Sequence, residues 1–174
     1  QFSCGDEDLD DFFANDAYLY DKQLLGKTYY FAIKGTGKIV GAFTVANDSI
    51  KASLISNAVR NKLQRKIPNS KHTRSYPAVL IGRIGVASDM RGNNIGSQIV
   101  EYIKYWFTRH TNKSGCRYVV VDAYNSESVL SFYERNEFKY LYATEEEERA
   151  KFDLPEGERL NSRMMYFDLI CYSD

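Results

Sequence analysis

The sequence LIGRIGVASDMRGNNIGS, Leu80 to Ser97, runs from an apolar β-branched segment into a polar turn and out into a helix start through Arg91, Gly92, Asn94 and Gly96. Glycines at a strand-to-helix turn let the backbone approach a ligand closely. The unpaired N–H groups of a helix start then face negative charge, ideally a phosphate. A glycine turn alone is a weak signal. The spacing strengthens it: Val86, four residues, then Arg91-x-x-Asn94-x-Gly96, with a second strand and a second helix following at a fitting distance.

That second strand is Tyr118 to Ala123 (YVVVDA), a continuous apolar run of the kind covered on both faces. The helix after it holds Val129, Phe132 and Tyr133, with Asn125 placed to cap it. Ala78 to Val86 reads as the first strand and Gly96 to about Thr108 as the first helix, whose Ile95, Ile99, Ile103 and Trp106 or Phe107 form one buried stripe. This β-α-β-α order implies a partly parallel sheet. Upstream, Thr28 to Ile33 and Lys38 to Ala46 flank Gly35-Thr36-Gly37 and predict an antiparallel hairpin in the same sheet. Before them Leu9, Phe12, Phe13, Ala17, Tyr20 and Leu24 recur at helical spacing, with Asp6, Glu7 and Asp8 at the positive end and Gly26 just past the other. Downstream, Tyr140 to Ala143 reads as a sixth strand, Glu145 to Lys151 as a charged helical excursion and Met164 to Ile170 as the last strand. Neither a repeat nor a linker interrupts residues 1–174, which read as a single domain.

The chain of 174 residues is 44% apolar and 26% charged, ordinary for a globular protein that buries a real core. Its 23 basic and 23 acidic residues cancel, so overall charge selects no polyanionic partner. Their distribution is uneven. Between Asp48 and Asp89 lie Lys51, Arg60, Lys62, Arg65, Lys66, Lys71, Arg74 and Arg83 with no Asp or Glu; the other 15 basic residues face all 23 acidic ones elsewhere. Leu54, Ala58, Val59, Leu63 and Ile67 suggest a basic amphipathic helix ended by Pro68, with a polar loop to Pro77, so a basic insertion at about 48–78 separates two sheet strands. Cys4, Cys116 and Cys171 have no metal-ligand spacing and cannot all pair, which reads as reduced thiols in a cytoplasmic protein, Cys116 in the core. No stretch approaches the roughly 18 apolar residues of a membrane span, and no signal peptide is visible. The chain begins at Gln1 rather than Met, which leaves room for an upstream segment.

Four features, in order, resemble the GNAT N-acetyltransferase superfamily. The first is the hairpin ahead of the basic stretch. The second is the strand Leu80 to Val86 feeding RGNNIG, similar to the acetyl-CoA signature R/Q-x-x-G-x-G/A. The third is the buried strand ending in Asp122-Ala123-Tyr124-Asn125, and the fourth is SFYERNEF, Ser131 to Phe138, similar to FYxxxGF. Asn94 stands where the signature has its first Gly, and Glu137 where FYxxxGF has Gly. Asn tolerates the left-handed backbone region better than most residues.

The resemblance implies an α/β GNAT fold: a mixed, largely antiparallel central sheet, a parallel pair splayed at the cofactor site, and flanking helices. It also implies an acetyl-CoA-dependent, metal-free N-acetyltransferase. The reaction needs a neutral amine, a held thioester, stabilisation of an oxyanion and a proton for the departing thiolate. Carried over, the CoA pyrophosphate falls to the turn Arg91, Gly92, Asn93, Asn94, Ile95, Gly96 and Ser97. The pantetheine arm and the acetyl carbonyl fall to the backbone of Ile84, Gly85 and Val86. Tyr133 matches the tyrosine that protonates the thiolate, and Asn125 a residue that contacts the cofactor. No general base is evident, since His72 and His110, the two histidines, lie outside these motifs.

A narrower resemblance concerns the acceptor. Phe2-Ser3-Cys4-Gly5, the acidic helix start with Leu9-Asp10-Asp11-Phe12, and Gly82-Arg83-Ile84-Gly85-Val86 look like the GNAT branch of toxins that acetylate the free amine of aminoacyl-tRNA. For these the basic stretch, notably Arg60, Lys62, Arg65 and Lys66, would supply a phosphate-binding surface; on composition alone the same charges form a solvated face that balances the acidic elements. Three readings stay open: an N-acetyltransferase acting on an unidentified primary amine, a tRNA-directed toxin with an antitoxin partner, and a non-catalytic CoA-binding module. Homodimerisation is likewise open.

Overall fold

The computed structural model describes residues 2–70, 73–155 and 157–172. Its six strands are β1 (Lys27–Ala32), β2 (Ile39–Lys51), β3 (Ser75–Val86), β4 (Tyr118–Tyr124), β5 (Lys139–Tyr140) and β6 (Ser162–Asp168). They form one sheet in the order β1-β2-β3-β4-β6-β5, antiparallel throughout except for the parallel pair β3–β4. The helices are α1 (Glu7–Asp11), which runs through a π-helical turn at Phe12–Asp16 into α2 (Ala17–Lys22), then α3 (Asn57–Gln64), α4 (Ile95–Thr108), α5 (Glu127–Arg135) and α6 (Glu145–Lys151). The mixed sheet with flanking helices is the architecture expected from the strand and helix patterns.

Side-chain alternation gives the sheet two apolar faces. On one, Phe43, Val45, Val79, Ile81, Val119 and Val121 pack against Ile99, Val100 and Ile103 of α4 and Tyr133 of α5. On the other, Ala78, Tyr118 and Val120 pack against Leu63 of α3, while Ala42 packs against Phe12, Phe13 and Ala17. The Tyr118 hydroxyl donates to the Leu63 carbonyl at 2.6 Å, satisfying a buried polar group and fixing α3 to the sheet.

Several sequence-based boundaries move. β2 runs on to Lys51 and β3 starts at Ser75, joined by a ladder through Lys51↔Ser75, so Pro77 lies in a strand and the basic excursion shrinks to residues 52–74. Polar Asn47, Asp48 and Ser49 hid this extension, which buries Ile50 and Tyr76. α3 is correspondingly shorter, leaving Leu54 and Ile67 outside it, and is capped by the Ser56 hydroxyl, which accepts the Val59 N–H. The first helix ends at Lys22, with Leu24 rather than Gly26 taking the left-handed turn, φ 58°. The last strand stops at Asp168, whose carboxylate accepts the Ile170 N–H and pairs with Arg117, turning the chain into a 3-10 segment. The strand expected at Tyr140 to Ala143 is instead β5, only Lys139–Tyr140. Two glutamates of α6 are structural: buried Glu148 pairs with Arg163 at 2.7 Å and accepts the Met164 N–H, and Glu145 accepts from the Asn125 amide.

Cys116 is half-buried against the core, and all three cysteines are free. Among the described residues no helix is long and apolar enough to cross a membrane and no cluster suits a metal ion. Lys71 and His72 lie outside the described residues.

Candidate active site

β3 and β4 pair only from Ala78↔Tyr118 to Ile81↔Val121. Beyond that point β3 stays paired with β2 as far as Gly41↔Val86, and β4 stays paired with β6 as far as Tyr124↔Ser162. The two strands therefore diverge, and the β3 edge from Gly82 to Val86 faces no strand. A cleft of about 900 Å³ opens in the gap. Its walls include Gly82, Arg83, Ile84, Gly85 and Val86 from β3, Val121 to Tyr124 from β4, Arg91 and Gly96 from the turn and α4, Val129, Phe132 and Tyr133 from α5, and Cys4, Asp6, Asp8, Leu9 and Tyr20 from the N-terminal region.

A bulge sits at the divergence. Thr44 pairs with Arg83 and Val45 with Ile81, leaving Gly82 as the extra residue. The extra residue resets the alternation. Ile81 and Ile84 both pack on the α4–α5 side, and Arg83 goes to the opposite side, over the rings of Phe12 at 3.7 Å and Tyr20 at 5.3 Å. The cleft thus joins the two faces of the sheet through the gap.

At the turn, Asn94 occupies the left-handed region, φ 58° and ψ 18°, and opens α4 without a side-chain cap. The first-turn N–H groups of α4 are left for solvent or an anion. Gly96 serves packing as well: a Cβ there would stand 3.1 Å from the Phe132 ring. The Ser97 hydroxyl accepts from the Asn136 amide at 3.1 Å, and that amide also donates to the Phe132 carbonyl, linking the start of α4 to the end of α5. Asn93 turns its amide onto the Met90 carbonyl.

Tyr133 is 4% exposed, stacked edge-on against Phe132 and Phe138, and lines the cleft. Burial pushes its phenol well above the ordinary tyrosine range, so it stays protonated. The last turn of α5 closes in a Schellman arrangement, with the Phe138 N–H on the Tyr133 carbonyl, the Glu137 N–H on the Glu134 carbonyl, and Glu137 left-handed at φ 66°.

The N-terminal segment straps the turn. The Ser3 carbonyl accepts from the Ser88 N–H, the Cys4 carbonyl accepts from the Arg91 guanidinium, and the Ser3 hydroxyl and Cys4 N–H donate to Asp10, each at 2.6 Å. Those two bonds hold the Asp10 carboxyl down to about 2.

Of the residues singled out from sequence, Ile84, Gly85, Val86, Arg91, Gly96 and Tyr133 line one cleft, with Gly92, Asn93, Asn94, Ile95 and Ser97 in the adjoining turn and helix start. Asn125 is elsewhere. Ser126, not Asn125, occupies the α5 N-cap, and the Asn125 amide is spent on Glu145 at 3.0 Å and the Leu160 carbonyl at 2.8 Å, away from the cleft walls. Arg60 donates to the Ala52 carbonyl at 2.7 Å, whereas Lys62, Arg65 and Lys66 are exposed. Sequence reasoning missed Arg83 as part of the cleft, and Asp10 and Asn136 as its supports.

Residues 26–140 match the acetyltransferase (GNAT) domain. No curated protein matches the chain by sequence. Among solved structures, AtaT complexed with acetyl-methionyl-tRNAfMet superposes with a TM-score of 0.73 at 19% identity, covering 98% of this chain and 87% of that one. A tyrosine-to-phenylalanine mutant of KacT gives 0.72 at 18% identity, over 98% and 86%. AtaTR bound with acetyl-CoA gives 0.69 at 20% identity, over 98% and 86%. At these identities the likeness is one of fold.

Proposed function

The chain belongs to the GNAT acetyltransferase family, and on that premise we propose that its cleft transfers the acetyl group of acetyl-CoA to a primary amine by direct attack on the thioester. The observation that carries this reading is the unpaired β3 edge, Gly82 to Val86, which leads through a 3-10 turn at Ser88–Met90 to an uncapped helix start, in a cleft lined by a protonated tyrosine. Bound acetyl-CoA would supply an activated acyl carbon and a thiolate leaving group. The first-turn N–H groups of α4 suit its pyrophosphate. The backbone of Ile84 and Val86 suits the acyl arm, and N–H groups on this edge would stabilise the negative charge that develops on the acetyl oxygen. Tyr133 donates its phenolic proton to the departing sulfur, and the amine gives up its proton to solvent.

For the acceptor we favour the amino group of an aminoacyl-tRNA. Two observations support it. A neighbour of this fold, AtaT, is known in complex with acetyl-methionyl-tRNAfMet. Lys62, Arg65 and Lys66 stand exposed at the end of α3, whose apolar cluster includes the cleft residue Leu80. Neighbours also occur with an antitoxin, as in AtaT bound to the C-terminus of AtaR, and an antitoxin-like partner is part of this reading. The test is acetyl transfer from labelled acetyl-CoA to charged tRNA and, in parallel, to small primary amines. We expect labelled acetyl-aminoacyl-tRNA, and we expect Lys62→Glu, Arg65→Glu and Lys66→Glu together to weaken tRNA binding and flatten its salt dependence, by about 0.7–0.9 in log–log slope per lost phosphate contact. Label found only on small amines would move the acceptor to that class.

A further inference from the structure

Arg83 owes its place in the cleft to an irregularity in the sheet. Regular alternation after Ile81 would send residue 83 to the α4–α5 side; the extra residue Gly82 sends it to the α1–α2 side, in line with Ala42 and Thr44. There the guanidinium carbon lies over the Phe12 ring, 3.7 Å from its centroid, and 5.3 Å from that of Tyr20, a separation that suits stacking. Stacking uses the π-face and leaves the N–H fork at the edge. The Arg83 guanidinium makes no hydrogen bond or ion pair with any described residue. A half-buried arginine, packed against two aromatic rings and retaining its donors, lines the cleft next to Ile84, on the opposite side of the sheet from Tyr133.

We propose that Arg83 forms an anion subsite for the acceptor, binding a phosphate or carboxylate oxygen carried close to the reacting amine. This rests on the acetyl-transfer reading above and is independent of whether the acceptor is tRNA. A planar fork matches an oxyanion bidentately. With the acyl arm along the unpaired β3 edge, an amine entering from the Arg83 side would reach the acetyl carbon through the gap between β3 and β4. The subsite would select amines that bear an oxyanion over bare amines, and would hold the amine in line with the carbonyl.

Two variants test it. Arg83→Met keeps an apolar chain on Phe12 and Tyr20 and removes the fork, and Arg83→Lys keeps the charge and removes bidentate geometry. The probes are charged tRNA, phosphoethanolamine and β-alanine as anion-bearing amines, and ethanolamine and propylamine as bare ones. Acetyl-CoA affinity is measured by calorimetry on each protein. The expected result is that KM for the anion-bearing acceptor rises about 10–100-fold in Arg83→Met, less in Arg83→Lys, with acetyl-CoA affinity unchanged. A response to charged tRNA places the oxyanion in nucleic-acid phosphate; a response to the small amines places it on the acceptor molecule itself. Unchanged KM in Arg83→Met, equal use of bare amines by the unmodified protein, or a parallel loss of acetyl-CoA affinity overturns the subsite. If the unmodified protein binds acetyl-CoA yet acetylates none of the probes, the acetyl-transfer reading fails and the subsite fails with it.

Discussion

Asn94 and Glu137 stand where the GNAT signatures carry glycine, and both have left-handed backbones, φ 58° and 66°. An L-residue with a β-carbon pays about 1–2 kcal/mol there, and Asn pays less than most. We therefore expect Asn94→Gly to leave acetyl-CoA affinity intact and Asn94→Val to weaken it by about tenfold, as a titration would read. Glu137→Gly should stabilise the fold by about 1 kcal/mol in denaturant unfolding. The contact it gives up, 3.7 Å from Lys104, comes from a side chain that is 75% exposed and is screened by solvent. If Tyr133 is the proposed proton donor, Tyr133→Phe should lower kcat by about 10²–10⁴-fold while acetyl-CoA affinity holds. The turns at Asn94 and Glu137 were legible because such turns reveal themselves in residue type. Asn125 was not: its neighbour Ser126 takes the cap, and its amide is claimed by Glu145 and Leu160, partners 20 and 35 residues away that no local pattern reveals.

Among the elements, β3 carries most of the site. Its existence was plain from VLIGRIGV, but the bulge at Gly82 was missed, because in a short, mostly apolar run the switch from Ile81 to a charged residue two positions on is too small a break in alternation to read as an inserted residue. Read without the bulge, Arg83 falls on the α4–α5 face, and so it counted as a basic charge and a motif residue but not as part of the cleft. The N-terminal strap was likewise hidden, as its bonds link residues 3 and 4 to Ser88 and Arg91. Asp10 organises that strap. Asp10→Ala should speed hydrogen exchange at the Cys4 and Gly5 amides and lower acetyl-CoA affinity by loosening the turn. The Asp10 carboxyl is depressed from its ordinary value near 3.8 to about 2, so its support is full above pH 4 and is lost as pH falls through 2. Exchange at those amides should accelerate over that window in the native protein.

For the molecule as a whole, buried acids set an alkaline limit. Burial pushes the Cys116 thiol from 9.0 up to about 11 and the Tyr142 phenol from 10.0 up to about 12. Both are raised, so the folded state holds protons that the unfolded chain releases first. Their contribution is complete below pH 9 and is lost as pH rises through 11 and 12. We expect the denaturation midpoint to fall between pH 9 and 12, and Cys116→Ala to remove the earliest part of that fall. The parallel pair followed from the β-α-β-α succession, whereas the strand order and the size of the basic excursion did not, the latter because polar residues extended the β2–β3 ladder. Acetyl transfer is tested most directly in a single turnover with charged tRNA and the small amines as acceptors, following CoA thiol release and the acetylated amine together in the unmodified protein and in Tyr133→Phe. The expected result is one thiol per acetylated amine, with both slowed together in Tyr133→Phe at unchanged acetyl-CoA occupancy. Thiol release with no acetylated amine, or equal rates in the two proteins, would contradict it.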